Sequence, residues 1–156
     1  MADYRFVTTW KLRAPIEAVW AAIYDSREWP RWWRGVVRVD EVRPGGPDGI
    51  GGISRCTWRS KLPYSLVFDM EVTRVQAPNL LEGHASGELA GTGFWEIAEA
   101  DYVTNVRYTW VVRTTRPWMN FLASVLRPAF SWNHDYVMGN GAVGLAKLLG
   151  ADLISK

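Results

Sequence analysis

The alternation of apolar and polar residues predicts β-strands over most of the chain. Residues 64–76 and 103–115 alternate most clearly, as a strand does when one face is buried and the other meets water. Turn-forming residues separate the alternating segments, most visibly in the sequence PGGPDG at 44–49. The predicted strands cover residues 3–13, 35–43, 50–62, 64–76, 80–91, 92–101 and 103–115.

Two short segments after the first strand follow the helical period instead. Residues 14–25 carry apolar side chains at i, i+3, i+4 and i+7, which predicts a short helix with Pro15 in its first turn. A second, shorter helical turn is predicted to start near Pro30.

A long, bent helix is predicted over residues 117–149. Pro128 removes a backbone donor, so we expect a kink or a break there. Gly139, Gly141 and Gly144 each lower helix stability by about 1 kcal/mol relative to Ala, which suggests that another backbone comes close at these positions. The predicted buried face comprises Phe130, His134, Val137, Gly141, Leu145 and Leu148.

The order of these elements predicts one α+β domain over residues 1–156. We expect a curved antiparallel sheet of about six or seven strands around the long C-terminal helix, with two short helices after the first strand. A single helix cannot fill the concave face of a strongly bent sheet. The pattern therefore predicts a hollow between them.

Composition narrows the class of protein. The 156 residues are 48% hydrophobic and 22% charged, and the net charge of +2 does not favour a nucleic-acid partner. The single Cys56 excludes an intramolecular disulfide and a cysteine-rich zinc site, and we predict neither a metal nor a cofactor. The start of the chain lacks the features of a signal peptide, and no apolar run reaches membrane-spanning length, so we expect a cytoplasmic protein.

Ten tryptophans are more than a core of this size needs. An aromatic-lined cavity with a few polar groups is typical of a small-molecule site, whereas plain core packing would use the same residues. The predicted ligand-binding residues are Trp58, Phe68, Met70, Trp95, Tyr108, Trp110, Phe130, His134, Val137 and Met138.

His134 is the leading polar candidate and the one candidate catalytic residue. It shares a helix face with Phe130 and Val137, so its imidazole is expected to point inward and exchange a hydrogen bond with a ligand. The alternative is a core histidine satisfied by a strand carbonyl or a tyrosine hydroxyl. The neighbouring Asn133 either polarises the pocket or caps a local kink.

Whether the charged residues of the strand at 50–62 face the predicted cavity depends on which of its alternating side chains point inward. If Trp58 faces inward, Arg55 and Arg59 face water, and Cys56 is an inert buried thiol. With the opposite parity, the two arginines would reach the cavity and hold a carboxylate or an enolate. A solvated position, or one at the mouth of the pocket, is expected for Glu71, Glu82 and His84.

The segment at 28–38, EWPRWWRGVVR, mixes tryptophan with arginine. It could make transient contact with an anionic membrane or stack on single-stranded nucleic acid. The alternative is that its aromatic residues close one end of the cavity while its arginines are exposed.

Four stretches resemble the START-like, or SRPBCC, superfamily, and within it the polyketide cyclase/dehydrase and lipid-transport branch. They are WKLRAPIEAVWAAI at 10–23, WPRWWRGV at 29–36, GTGFW at 91–95 and FSWNHDYVMGNGAVGL at 130–145. The resemblance implies a helix-grip fold whose cavity, beneath the last helix, holds an apolar or amphipathic small molecule such as a lipid, a polyketide or a quinone-like compound.

The function implied by this resemblance stays open between three classes, because a fold does not fix an activity. The first is a carrier or receptor that binds such a ligand without catalysis. The second is a polyketide cyclase, aromatase or dehydratase, which needs at least two titratable groups converging in the cavity. The third is a protein-interaction module with an exposed apolar patch at 29–36 and no cavity.

Overall fold

The structure is a computed structural model that describes residues 3–156. Within this range the chain forms one eight-stranded antiparallel sheet and four α-helices, with a 3₁₀ turn at Ser26–Glu28. The strands are β1 (Asp3–Leu12), β2 (Val36–Arg43), β3 (Ile53–Arg59), β4 (Ser65–Gln76), β5 (Leu80–Gly87), β6 (Leu89–Ala100), β7 (Val103–Thr114) and β8 (Leu153–Ser155). The helices are α1 (Ile16–Tyr24), α2 (Trp29–Trp32), α3 (Pro117–Phe121) and α4 (Ala123–Leu149).

The sheet has the order β2-β3-β4-β5-β6-β7-β1-β8. This arrangement confirms the predicted α+β fold with a curved antiparallel sheet, a long C-terminal helix and short helices after β1. The strand that the sequence did not indicate is β8, which pairs with Lys11 and Leu12 of β1. A strand of three residues is too short for the alternation of apolar and polar side chains to be recognised in the sequence.

The predicted break at Pro128 is wrong in position, and a kink there stays a prediction. The helical segment is interrupted at Leu122, where the backbone has φ −97° and ψ 8°, and α4 then runs through Pro128 without a break. Pro128 lies in the second turn of α4 and is exposed. Its ring therefore displaces nothing in the core, and the helix loses one backbone hydrogen bond.

The predicted buried face of α4 holds through Leu145 and fails at Leu148, which is 52% exposed. Leu149 packs against the core instead, in line with Met138, Ala142 and Leu145. Eighteen residues are five full turns at 3.6 residues per turn, so Leu148 lies at the same angle around the helix as Phe130. Its exposure shows that the buried face is rotated toward Leu145 and Leu149 near the end of α4.

The predicted close approach of another backbone is confirmed at Gly144, whereas Gly141 and Gly139 face side chains. A Cβ on Gly144 would lie 1.8 Å from the backbone oxygen of Trp32, and one on Gly141 would lie 2.5 Å from the indole of Trp33. A Cβ on Gly139 would meet only the side chain of Lys156, at 3.8 Å. α2 therefore packs directly on the backbone of α4 at Gly144.

None of the helices within residues 3–156 combines the length and the apolar character needed to cross a lipid bilayer.

Candidate functional site

A cavity of about 210 Å³ lies between the concave face of the sheet and α4. Its walls come from β3 to β7 and from β1, because alternate residues of these strands point to the same side of the sheet. All ten predicted ligand-binding residues line it: Trp58, Phe68, Met70, Trp95, Tyr108, Trp110, Phe130, His134, Val137 and Met138. Their contact with a ligand stays a prediction.

Tryptophans close one end of the cavity. Trp33, at the end of α2, is almost completely buried and donates its indole N–H to the backbone oxygen of Val137 at 2.9 Å. Its ring centroid lies 5.1 Å from those of Trp29 and Trp58 and 5.5 Å from that of Trp10. These edge-to-face and tilted contacts join α2, β1 and β3 around the end of the cavity.

Two of the three tryptophans in the segment at 28–38 face the interior, and Trp29 is half-buried. Trp32 and Trp33 are buried, whereas Arg31 and Arg38 are largely exposed. This is the alternative in which the aromatic residues close the cavity. An interaction module built on an exposed patch at 29–36 is not favoured.

Sequence reasoning missed the aromatic residues at the other end of the cavity. Tyr4, Phe6 and Tyr64 line it there, together with Met119 of α3. Tyr4 and Phe6 lie on one face of β1, so the alternation of that strand was a usable signal. Tyr64 lies in the β3–β4 loop, where no periodic pattern points to it.

The His134 imidazole lies inside this aromatic lining. Its ring stacks on Phe6, with centroids 4.1 Å apart and planes 14° from parallel. Neither Nδ1 nor Nε2 has a hydrogen-bond partner among residues 3–156, although both atoms are buried. The closest carboxylate oxygen, Oδ1 of Asp135, lies 3.8 Å from Nδ1, which is too far for a hydrogen bond. The alternative of a core histidine satisfied by the protein is therefore wrong.

Burial shifts the pKa values of several cavity groups in the direction that favours their neutral forms. Desolvation lowers the pKa of His134 to about 4, and the Asp135 carboxylate offsets only part of this effect. Desolvation also raises the pKa of Tyr64 to about 12 and that of Cys56 to about 12. The pKa of Tyr108 is raised further for the same reason.

Other polar groups of the cavity also lack protein partners within the described chain. The indole N–H of Trp58 and the hydroxyl of Tyr4 are buried and unpaired. Buried polar groups normally have hydrogen-bond partners, so several unpaired groups around one cavity indicate a place for a polar atom of a ligand or for water.

Trp58 faces the cavity, and the charged residues of β3 are exposed, as expected for that orientation of the strand. Arg55 points out of the sheet and forms a bidentate pair with Asp69, at 2.9 and 3.2 Å. Arg59 is exposed at the rim of the cavity, and Glu71 and Glu82 also line its edge.

The structure also places two further polar candidates, His84 and Asn133. His84 is exposed and does not reach the cavity. Asn133 lines the cavity and accepts a hydrogen bond from the Ser60 hydroxyl, which ties the β3–β4 loop to α4. Within residues 3–156, no cluster of three His, Cys, Asp or Glu side chains is placed to hold a metal ion.

The buried imidazole makes stability depend on pH. In the unfolded chain His134 takes up a proton below pH 6.5, whereas in the folded protein it does so only near pH 4. The free energy of unfolding should therefore fall by on the order of 3 kcal/mol as the pH is lowered from 6.5 to 4. Urea denaturation across this range measures the effect. In the His134→Phe variant the fall should largely disappear; an equally steep fall in that variant would contradict the assignment.

The fold and this cavity define a helix-grip protein of START-like architecture. Residues 4–148 match the family described as polyketide cyclase/dehydrase and lipid transport, and the chain belongs to this family.

Solved structures share the fold at low sequence identity. The Zhui aromatase/cyclase from Streptomyces sp. R1128 is 12% identical, with a TM-score of 0.78 over 96% of this chain and 94% of that chain. A START superfamily protein from Mycobacterium smegmatis is 15% identical, with a TM-score of 0.74 over 94% of this chain and 97% of that chain. Among curated proteins, comparison by sequence finds no match.

Proposed function

We propose that the protein binds a small, flat, mainly apolar molecule that exchanges one hydrogen bond with His134. The observation that carries this proposal is the neutral imidazole, buried among aromatic side chains with both nitrogens unpaired. Leaving a buried polar group unsatisfied costs about 1–3 kcal/mol, and a ligand atom that completes the hydrogen bond removes this cost.

The chemistry of the walls favours a neutral ring compound over a fatty acid. Apolar side chains form most of the lining, and twelve lining residues are Phe, Tyr or Trp. Burying apolar ligand surface contributes about 25 cal/mol per Å² before the cost of association is subtracted. A buried carboxylate would need a cation, but Arg55 is paired with Asp69 outside the cavity and Arg116 is paired with Glu88. Arg59 is exposed at the rim, so a carboxylate that it held would lie at the mouth of the cavity and not beside His134. A polyketide or a quinone-like molecule with a carbonyl or hydroxyl group meets these conditions.

Catalysis of a polyketide cyclisation is the second candidate. It is favoured by the convergence of His134 with Tyr4, Tyr64 and Tyr108 on one cavity, and by the fold shared with an aromatase/cyclase. General acid–base catalysis works best when the pKa of the group lies near the working pH. The pKa of about 4 at His134 and the raised pKa values of Tyr64 and Tyr108 depart from neutrality, which favours binding.

Native mass spectrometry of gently purified protein, followed by extraction, tests the proposal. We expect a bound neutral ring compound, or, if the protein is empty, saturable quenching of tryptophan fluorescence by a hydroxynaphthoquinone probe, 5-hydroxy-1,4-naphthoquinone, which is mainly uncharged at neutral pH. A co-purifying fatty acid would contradict the proposed ligand class. An empty protein that the probe does not quench would contradict ligand binding itself, and consumption of a poly-β-ketone substrate would favour the cyclase.

A further inference from the structure

The junction between α3 and α4 exposes a contiguous apolar surface. We call residues 117–125 the elbow. Phe121 is 85% exposed and Val125 is 74% exposed, and they are flanked by Trp118 at 41% and Leu122 at 38%. These four residues have the spacing i, i+3, i+4 and i+7, and all four side chains are exposed on either side of the helix interruption at Leu122.

Most of the large apolar side chains of the elbow face outward, which is unusual for a helical segment on a protein core. Met119 alone of its large apolar side chains is buried, where it lines the cavity, and the others face outward. Single exposed apolar residues are normal on a protein surface, but a contiguous group of large ones marks an interaction site. Trp118 contacts Tyr64, with ring centroids 5.2 Å apart, so the elbow borders the β3–β4 loop at the same end of the cavity.

The charges around the elbow have one dominant sign. The two segments that meet there, 59–64 and 113–134, contain no Asp or Glu. Their basic residues are Arg59, Lys61, Arg113, Arg116 and Arg127. Two carboxylates from other segments approach this group: Asp3 pairs with Arg113 at 3.5 Å, and Glu88 pairs with Arg116. Arg59 and Lys61 have no ion pair among the described residues, and Lys61 lies over the ring of Tyr136, next to the exposed Asp135. Five basic residues against these three carboxylates leave the surface around the elbow net positive.

We propose that the elbow docks on the surface of an anionic phospholipid bilayer, with Phe121 and Val125 among the lipid headgroups and the basic residues above them. Exposed aromatic and aliphatic side chains beside a basic rim fit the interface of such a membrane. A second copy of the chain fits less well, because a two-fold contact through the elbow would bring two positive surfaces together. This surface is distinct from the buried tryptophans of α2, and its docking does not depend on the ligand of the cavity.

Vesicle flotation with the full chain tests the docking surface. The protein should float with phosphatidylcholine vesicles that contain phosphatidylserine and should remain behind with pure phosphatidylcholine. Binding should weaken with salt, because the Debye length falls from about 10 Å at 0.1 M to about 3 Å at 1 M. The double variant Phe121→Ser, Val125→Ser should lower partitioning roughly tenfold, since it removes the apolar contribution.

The matched control is Tyr102→Asn. Tyr102 is 87% exposed at the tip of the β6–β7 hairpin and has a φ of 63°, which asparagine tolerates. It should float like the parent protein. Equal flotation of the elbow variant, or no flotation of the parent protein, would overturn the proposal. So would a parent dimer that the elbow variant converts to a monomer in light scattering without vesicles.

A fluorescent label gives a second readout of the same contact. Cys56, the one native cysteine, is buried and has a raised pKa of about 12, so a cysteine introduced at position 125 is labelled selectively. An environment-sensitive dye on Val125→Cys should shift to shorter emission wavelength with anionic vesicles. The same dye on Val143→Cys, at a half-exposed site farther along α4, should not shift. A shift at both sites or at neither would contradict insertion of the elbow.

Discussion

Replacing Gly144 with alanine is expected to lower the free energy of unfolding by about 3 kcal/mol. The added methyl group would lie 1.8 Å from the backbone oxygen of Trp32, so α2 and α4 would have to separate. The separation would also disturb the indole of Trp33, which is anchored to the backbone of Val137. Guanidinium denaturation followed by circular dichroism measures the change.

Gly139→Ala is the matched control on the same helix. Its methyl group would meet only the flexible side chain of Lys156, at 3.8 Å. Since alanine favours the helix over glycine, this variant should be more stable than the parent protein by about 1 kcal/mol. If both alanines changed stability in the same direction, the close contact between α2 and α4 would be refuted.

His134→Phe is expected to make the folded protein more stable while weakening ligand binding. Phenylalanine keeps a flat ring beside Phe6 and removes two buried, unpaired nitrogens, which should raise the free energy of unfolding at neutral pH by about 1–2 kcal/mol. The lost hydrogen bond should raise the dissociation constant for the hydroxynaphthoquinone probe about tenfold, equivalent to about 1.4 kcal/mol. Denaturation and fluorescence titration measure the two effects.

The control is the other histidine of the chain. His84 is exposed and lies outside the cavity lining, so His84→Gln should change neither stability nor probe affinity appreciably. If His134→Phe destabilised the protein and bound the probe as the parent does, the imidazole would be a packing residue. Opposite changes in stability and affinity are typical of a site that sacrifices stability for function.

Strand parity made the cavity predictable from the sequence. β7 alternates between buried and more exposed positions, and Phe68 is the one buried residue of β4, so alternation assigns Phe68 and Trp110 to the inner side. The same rule on β3 places Trp58 inward and Arg55 outward, as the structure has them. Period and parity are local properties, and for that reason the strands and their inner faces can be predicted without the tertiary structure.

The features that were missed depend on contacts between distant segments. β8 exists because Leu153 reaches Leu12 across the sheet edge, and the helix break falls at Leu122 where no proline or glycine marks it. The unpaired state of His134 is likewise a property of everything that surrounds the ring. A sequence can place the imidazole on an inward face, but it does not show whether a carbonyl group lies within hydrogen-bond distance of the ring.

The tryptophans at the closed end of the cavity have an optical consequence. Trp10, Trp29, Trp33, Trp58 and Trp95 lie with neighbouring ring centroids 5.1 to 6.3 Å apart and mostly edge to face. At such separations the electronic transitions of the indoles couple and produce a circular dichroism band that depends on their mutual orientation. Trp29, Trp33, Trp58 and Trp95 also line the cavity. Binding of a molecule in the cavity should therefore change this circular dichroism band, so binding can be followed without an attached dye.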